Sequence, residues 1–561
     1  MKGKPETVFA VAPDEADDGL VEPVTPGPGT AVPASPAPGA ERLEQQAARW
    51  ASATLAARVL ATLAMLVSVP LLLRALGEAG FAAWAVLHGS ASLLGLCEFG
   101  ATPTLVRYLA TPIRDGDRAR VDTVLSSAFL PLVPVVAAVV ALAWPLAVPL
   151  AGWLRLPDTP WLDAVAMLRL TLTAVGVQTL LGVLLAPAQA AQRFVLAAAL
   201  AAGSTVSATA VAVGVALASE RLDLALVAFL ATRLLSLAAA IACVRVRVCA
   251  YSLRPRLVRR PVARQLFRHG GMLQVSQLCE FVNAQFDKLI IPGFVSLAAV
   301  APYEAACRAL FGVRGFPVAA VSVLLPAAAH RHDRGDDLSA LYVRASRVAA
   351  LGVALCLLAP WAVAPLLFRA WVGDAGDAAA TLFALLLPGI AMNVYTAPVS
   401  TVLQASAGAG LQAAVSAGAL ALNAALSLLL VGRFGVAGAA AGTAVSMVAT
   451  SLGYLWLFHR RLGVPLVTTL GSSLRPLLPL LPLLAAMWWG SRELLVCFGH
   501  DRALLGVAAL ALGLVFLPLA IVAVTRWGGL DGRERSALAS LAAMFSRRRR
   551  ADGRPARIDQ G

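Results

Sequence analysis

A small set of ionisable residues stands inside stretches otherwise apolar enough to cross a bilayer: Arg58, Glu98, Arg233, Glu280, Asp287, Lys288, Glu304, Arg308 and Arg314. Each charge costs about 2.5–3.5 kcal/mol at the centre of a membrane helix, so each is expected to face an interior cavity or a partner. The cations Arg58, Arg233, Lys288, Arg308 and Arg314 outnumber the acids, which favours a cationic cavity and an anionic substrate. Guanidinium suits phosphate because its planar fork donates two parallel hydrogen bonds. The plainer reading of any one arginine alone is a snorkelling or paired side chain.

Gln274, Gln277, Glu280, Asn283 and Asp287 follow one another at steps of three, three, three and four. That spacing keeps them on one side of a 3.6-residue helix. So long a polar stripe cannot face lipid. It either walls a water-filled cavity or ties its helix to the next through buried ion pairs, for example Asp287 with Arg308. With Glu98 and Glu304, these residues are the candidates for gating or ion coupling.

Other motifs carry less. His330, His332 and Asp333 lie in a loop beside arginines, and the seven cysteines are scattered without zinc or CxxC spacing. Gly408, Gly410 and Ala413 match a degenerate dinucleotide fingerprint but follow no strand. Gly435, Gly438 and Gly442 suit close helix packing. Neither a Walker element nor a GxSxG element occurs, so no catalytic residue, metal or cofactor is expected.

The elements that must position these charges are membrane helices. Of 561 residues, 59% are hydrophobic and 14% charged, far from the balance of a soluble domain. The sequence predicts an all-α integral membrane protein with about fourteen spans: 49–73, 79–109, 123–150, 162–186, 194–218, 222–248, 269–292, 298–328, 343–368, 378–402, 411–431, 435–458, 472–490 and 503–526. Outside loops would then hold Arg74, Arg155, Arg221, Arg369, Arg433, Arg492 and Arg502. Basic residues of the other loops, above all the run from Arg245 to Arg268, outnumber them roughly three to one, which places both termini in the cytoplasm. The net charge of +15 thus reflects topology, not nucleic-acid binding. Residues 1–48 read as a disordered acidic tail and 527–561 as a basic one near anionic lipid.

The stretch from Val183 resembles the stretch from Thr401, six spans later. Such a repeat implies two six-helix lobes, 49–248 and 269–458, joined by a basic cytoplasmic linker at 249–268. The lobes would be related by a pseudo-two-fold axis along the membrane normal, with 472–526 as two extra helices.

From Val69 to Ala110 the chain carries Leu76-Gly77, Trp84, Glu98-Phe99-Gly100 and Arg107-Tyr108-Leu109. From Phe267 to Leu310 it carries Gly270-Gly271, Asp287-Lys288, Tyr303 and Arg308. In these it resembles the Wzx-type polysaccharide exporters of the MOP flippase superfamily, although Glu98 stands where that family more often has Asp. The resemblance implies a flippase of the inner membrane. It would move an oligosaccharide linked to undecaprenyl diphosphate by alternating access, with H⁺ or Na⁺ coupling and other polysaccharide-assembly proteins as possible partners. Fourteen spans exceed the twelve common in many relatives and also suit the peptidoglycan-lipid flippases.

Two other functions compete. A multidrug or metabolite exporter of the same superfamily would bind cations, against which Arg58 and the lack of an acid in the first span count. A membrane glycosyltransferase or polymerase would need a large external loop, and the outside loops here are short.

Overall fold

Lipid offers no hydrogen bonds to a backbone, so a chain this apolar must satisfy its own polar groups, and helices do so. The computed structural model describes residues 40–92, 101–159, 162–322, 339–400, 408–462, 466–499 and 501–528, and no strand occurs among them. The described residues from Ser52 onward form one compact unit, which carries the membrane helices.

The helices are α1 (Ala40–Ala91), α2 (Ala101–Arg114), α3 (Arg118–Trp153), α4 (Ala164–Leu184), α5 (Ala186–Ala190), α6 (Phe194–Ser219), α7 (Leu222–Arg247), α8 (Arg260–Phe294), α9 (Val300–Ser322) and α10 (Ser339–Val353). After a π-helical turn at Ala354–Leu358 and a short helical piece come α11 (Ala364–Val372), α12 (Gly376–Tyr395), α13 (Gly408–Leu462), α14 (Leu466–Leu474), α15 (Leu481–Phe498) and α16 (Arg502–Trp527). Asp117, Asp163 and Asp501 cap α3, α4 and α16 by accepting from backbone N–H groups of the first turn.

At 52 and 55 residues, α1 and α13 are too long for one crossing. Each is two helices joined at a glycine with positive φ, Gly77 (+69°) and Gly435 (+59°). The break at Gly77 falls in the turn expected after span 49–73, and that at Gly435 falls on the first residue of the span expected at 435–458. Among the described residues ten helical segments are long and apolar enough to cross a membrane. The helices α8 and α9 are not among them, because Glu280, Asp287, Lys288, Arg308 and Arg314 lower their hydropathy. Side chains such as Leu235 and Leu514 stand more than 70% exposed, as a lipid-facing surface requires.

The helices of 52–247 pack chiefly on one another, α6 and α4 against α7 and α3 against α4. Those of 260–462 likewise pair, α8 with α13 and α12 with α9 and α13, while α2 and α3 reach across to α8. The last pair docks through Leu484, Met487, Phe516 and Ala520 on Ala354, Ala359 and Ala362, beside α10.

Two features differ from expectation. The helix expected at 269 begins at Arg260, since beyond the membrane it needs no apolar face and Pro261 suits its first turn. The linker, accordingly shorter, is docked: Ser252 N–H donates to Asp122 Oδ1 (2.8 Å) and Arg259 N–H to Ser127 Oγ (2.9 Å), both on α3.

Candidate functional site: a buried charge cluster on α8 and α9

Lys288 on α8 and Arg308 on α9 close on a single acid, Glu304. Lys288 Nζ lies 2.6 Å from Glu304 Oε2, and Arg308 Nε lies 2.7 Å from Glu304 Oε1. The Glu304–Arg308 pair is one helical turn apart, so α9 alone sets its geometry. All three side chains are about nine-tenths buried, and two cations on one carboxylate leave a net positive charge. Arg308 also donates to Ser68 Oγ of α1 (3.3 Å) and lies over the Phe81 ring. Opposite Lys288 and Gln285 stands Gly89 of α1, where a Cβ would come within 3.4 Å of both. The cluster therefore sits where the first group of helices meets the second.

Asp287, the neighbour of Lys288, points elsewhere. Its carboxylate accepts from Tyr303 on α9, from Thr443 and from Ser427 Oγ (3.0 Å), the last two on α13. Asn423 Oδ1 lies 2.9 Å from Thr443 Oγ1 and 3.2 Å from Ser427 Oγ, and the Ala439 carbonyl lies 3.4 Å from Ser427 Oγ. Close backbone packing brings these oxygens together. A Cβ on Gly442 would meet Ser427 N at 2.7 Å, and one on Gly438 would meet Leu430 O at 2.1 Å. The small-residue spacing expected to permit close approach thus places Ser427 and Thr443 on either side of Asp287. Each hydroxyl has one proton to offer these oxygens, while the Asn423 Nδ2 amide is buried beside them without a partner. Carboxylate and amide oxygens are donor types that hard cations accept.

A third feature lies in the first group of helices. Arg233 of α7 is 8% exposed and donates to Gln178 of α4 and to Ser204 Oγ of α6 (3.0 Å). Its guanidinium stacks over Phe229 at 4.9 Å, and its Nε has no partner. Among the described residues no acid pairs with it. His88, stacked on Trp84 at 4.1 Å, lies within electrostatic reach of Arg233, Arg308 and Glu304.

The structure thus brings together Lys288, Glu304 and Arg308, and corrects the pairing of Asp287 with Arg308. Arg308 takes Glu304 because their one-turn spacing is shorter than any route to Asp287, whose needs are met by hydroxyls. Arg314 stands apart, its Nε donating to Asn393 Oδ1 of α12 at 2.9 Å. Of the described members of the stripe, Asp287 meets Ser427 and Thr443 of α13, Glu280 is exposed, and Asn283 Oδ1 is buried without a partner. The side chains of Arg58, Gln274 and Gln277 lie outside the described residues, as does Glu98. Ser427, Thr443, Asn423, Gln178, Ser204 and His88 escaped the sequence reading. Asn423 carried a usable signal, a lone amide inside an apolar span.

Residues 48–332 match the family of polysaccharide biosynthesis proteins. Among curated proteins none matches. Three solved structures share the fold. One is the lipid II flippase MurJ in an inward closed conformation, with TM-score 0.58, 13% identity, and coverage of 85% of this chain and 99% of that one. A second is an inward-facing multidrug resistance MATE family transporter of the MOP superfamily, with TM-score 0.55, 15% identity, and coverage of 74% and 98%. The third is the Vibrio cholerae MATE transporter VcmN, with TM-score 0.54, 16% identity, and coverage of 74% and 98%.

Proposed function

This chain belongs to the polysaccharide biosynthesis protein family, and we propose that it is a flippase of the MOP type that carries a lipid-linked oligosaccharide across the inner membrane. The diphosphate that joins glycan to lipid is the group the protein recognises. The observation that carries this reading is the excess of buried cation: Lys288 and Arg308 share one acid, and Arg233 has none among the described residues. An unmatched buried guanidinium is costly and is retained where an anion completes it. Arg233 belongs to the helices of 52–247 and Arg308 to those of 260–462, so a diphosphate held by both would bridge two lobes that move against each other. The oxygen cluster around Asp287 then serves ion coupling. A monovalent cation or a proton at Asp287 neutralises the carboxylate and sets the packing of α8 against α13.

The test is transport of a fluorescent lipid-linked diphosphate glycan in proteoliposomes. Arg233→Gln strands no acid, so folded yield stays normal while transport falls about tenfold or more, the size expected for a charge-assisted contact worth about 1.5–3 kcal/mol. Unchanged transport in this variant would refute diphosphate recognition by Arg233.

A further inference from the structure

Away from the charge cluster, a cavity of about 670 Å³ opens between α10, α12, the end of α13 and α14. Val353, Met392, Leu455, Leu470 and Leu477 line its body. The polar groups in its wall are satisfied by the protein itself. Tyr395 donates to Ser473 Oγ at 3.2 Å, and His459 Nε2 is hydrogen-bonded to Tyr342 Oη at 3.1 Å. The body therefore asks its occupant for no hydrogen bonds, only for apolar volume. Its size lies within the range of pockets that hold small molecules.

The mouth is different in character. Arg460 lines it and stacks over the Trp456 ring at 5.2 Å, with that tryptophan 60% exposed. An exposed Trp–Arg pair at a helix end marks the level of lipid headgroups. Arg475, exposed, follows the lining residue Leu474 directly. Among the described residues no acid lines the cavity. Arg460, Arg461 and Arg475 belong to the basic side of the membrane, where anionic lipid is attracted to arginine.

We propose that this cavity is a binding site for an anionic phospholipid. One acyl chain fills the apolar body and the phosphate lies against Arg460 and Arg475. The site is separate from the charge cluster on α8 and α9, and it stands whether or not the substrate is a glycan lipid.

The full-length protein, extracted in a mild non-ionic detergent, tests this through native mass spectrometry of its bound lipids. Wild-type protein is expected to retain anionic phospholipid about fivefold above its share of the membrane extract for each contributing arginine. The double variant Arg460→Gln with Arg475→Gln changes exposed residues only, so it folds, and its enrichment drops to the membrane share. Ala391→Phe, which fills the cavity from α12, removes the bound lipid. Retained lipid that mirrors the membrane composition overturns the proposal, as does enrichment that survives the double variant. A bound mass corresponding to a prenyl lipid in place of a phospholipid overturns it too.

Discussion

At the scale of single residues, what matters is which buried charge has a partner. Glu304 neutralises only one of its two cations, so its removal exposes both. Glu304→Gln is expected to destabilise the protein by about 3–5 kcal/mol, because it leaves Lys288 and Arg308 side by side without a counter-charge. Thermal unfolding in detergent measures this, and an unchanged midpoint would show that the triad carries no strain of charge. Thr443→Val makes the complementary point. It keeps the side-chain shape but removes one oxygen and one donor from Asp287, a change worth about 1–3 kcal/mol. Ion dependence of transport should therefore shift by about tenfold in the apparent affinity for Na⁺ or H⁺, with folded yield retained. A transport rate as sensitive to the ion as in the wild type would remove Thr443 from the coupling site.

At the scale of elements, glycine decides where helices meet. The two halves of α13 turn back on one another after Gly435 and approach until Gly442 lies against the Ser427 backbone. Any side chain at Gly442 must push them apart. Gly442→Leu should cost about 3 kcal/mol or more, from overpacking against rigid backbone. It should also separate Ser427 from Thr443, so ion dependence and stability fail together, unlike in Thr443→Val. Normal stability in the leucine variant would mean that the helices do not pack this closely. A second element-scale contact joins the two helix groups. Trp153 Nε1 donates to the Leu289 carbonyl (2.8 Å), and Arg155 donates to the carbonyls of Gly293 and Val295 (3.0 Å each), all at the end of α8. A Cβ on Gly293 would stand 2.4 Å from the Trp153 ring, so this seam closes only around a glycine.

At the scale of the whole molecule, orientation follows from loop charge. Short loops rich in arginine tend to stay on the cytoplasmic side, so the docked linker with Arg254, Arg256 and Arg259 is expected on that side. A reporter active only outside the cytoplasm, fused after Gly561, should give no signal. A strong signal would require an odd number of crossings. In the described residues the C-terminal pair α15 and α16 packs beside α10 and α11, away from the contacts of α2 and α3 with α8.

The sequence by itself determined the elements. Apolar runs marked helices that suit a membrane, because this depends on local composition and on what lipid allows a backbone to do, and arginine-rich loops set an expected direction. It also determined that charges such as Arg233, Lys288, Glu304 and Arg308 must be interior, since their cost in hydrocarbon is independent of fold. Which charge meets which was decided only by the tertiary structure. Asp287 and Lys288 are adjacent in the chain, yet on a helix they point about 100° apart. One turns to the hydroxyls of α13 and the other to Glu304 on α9. Ser427 and Thr443 look like ordinary small residues of apolar spans. They become partners of Asp287 only because two glycines let their helices close to backbone contact beside α8, a distance that no spacing within one helix encodes.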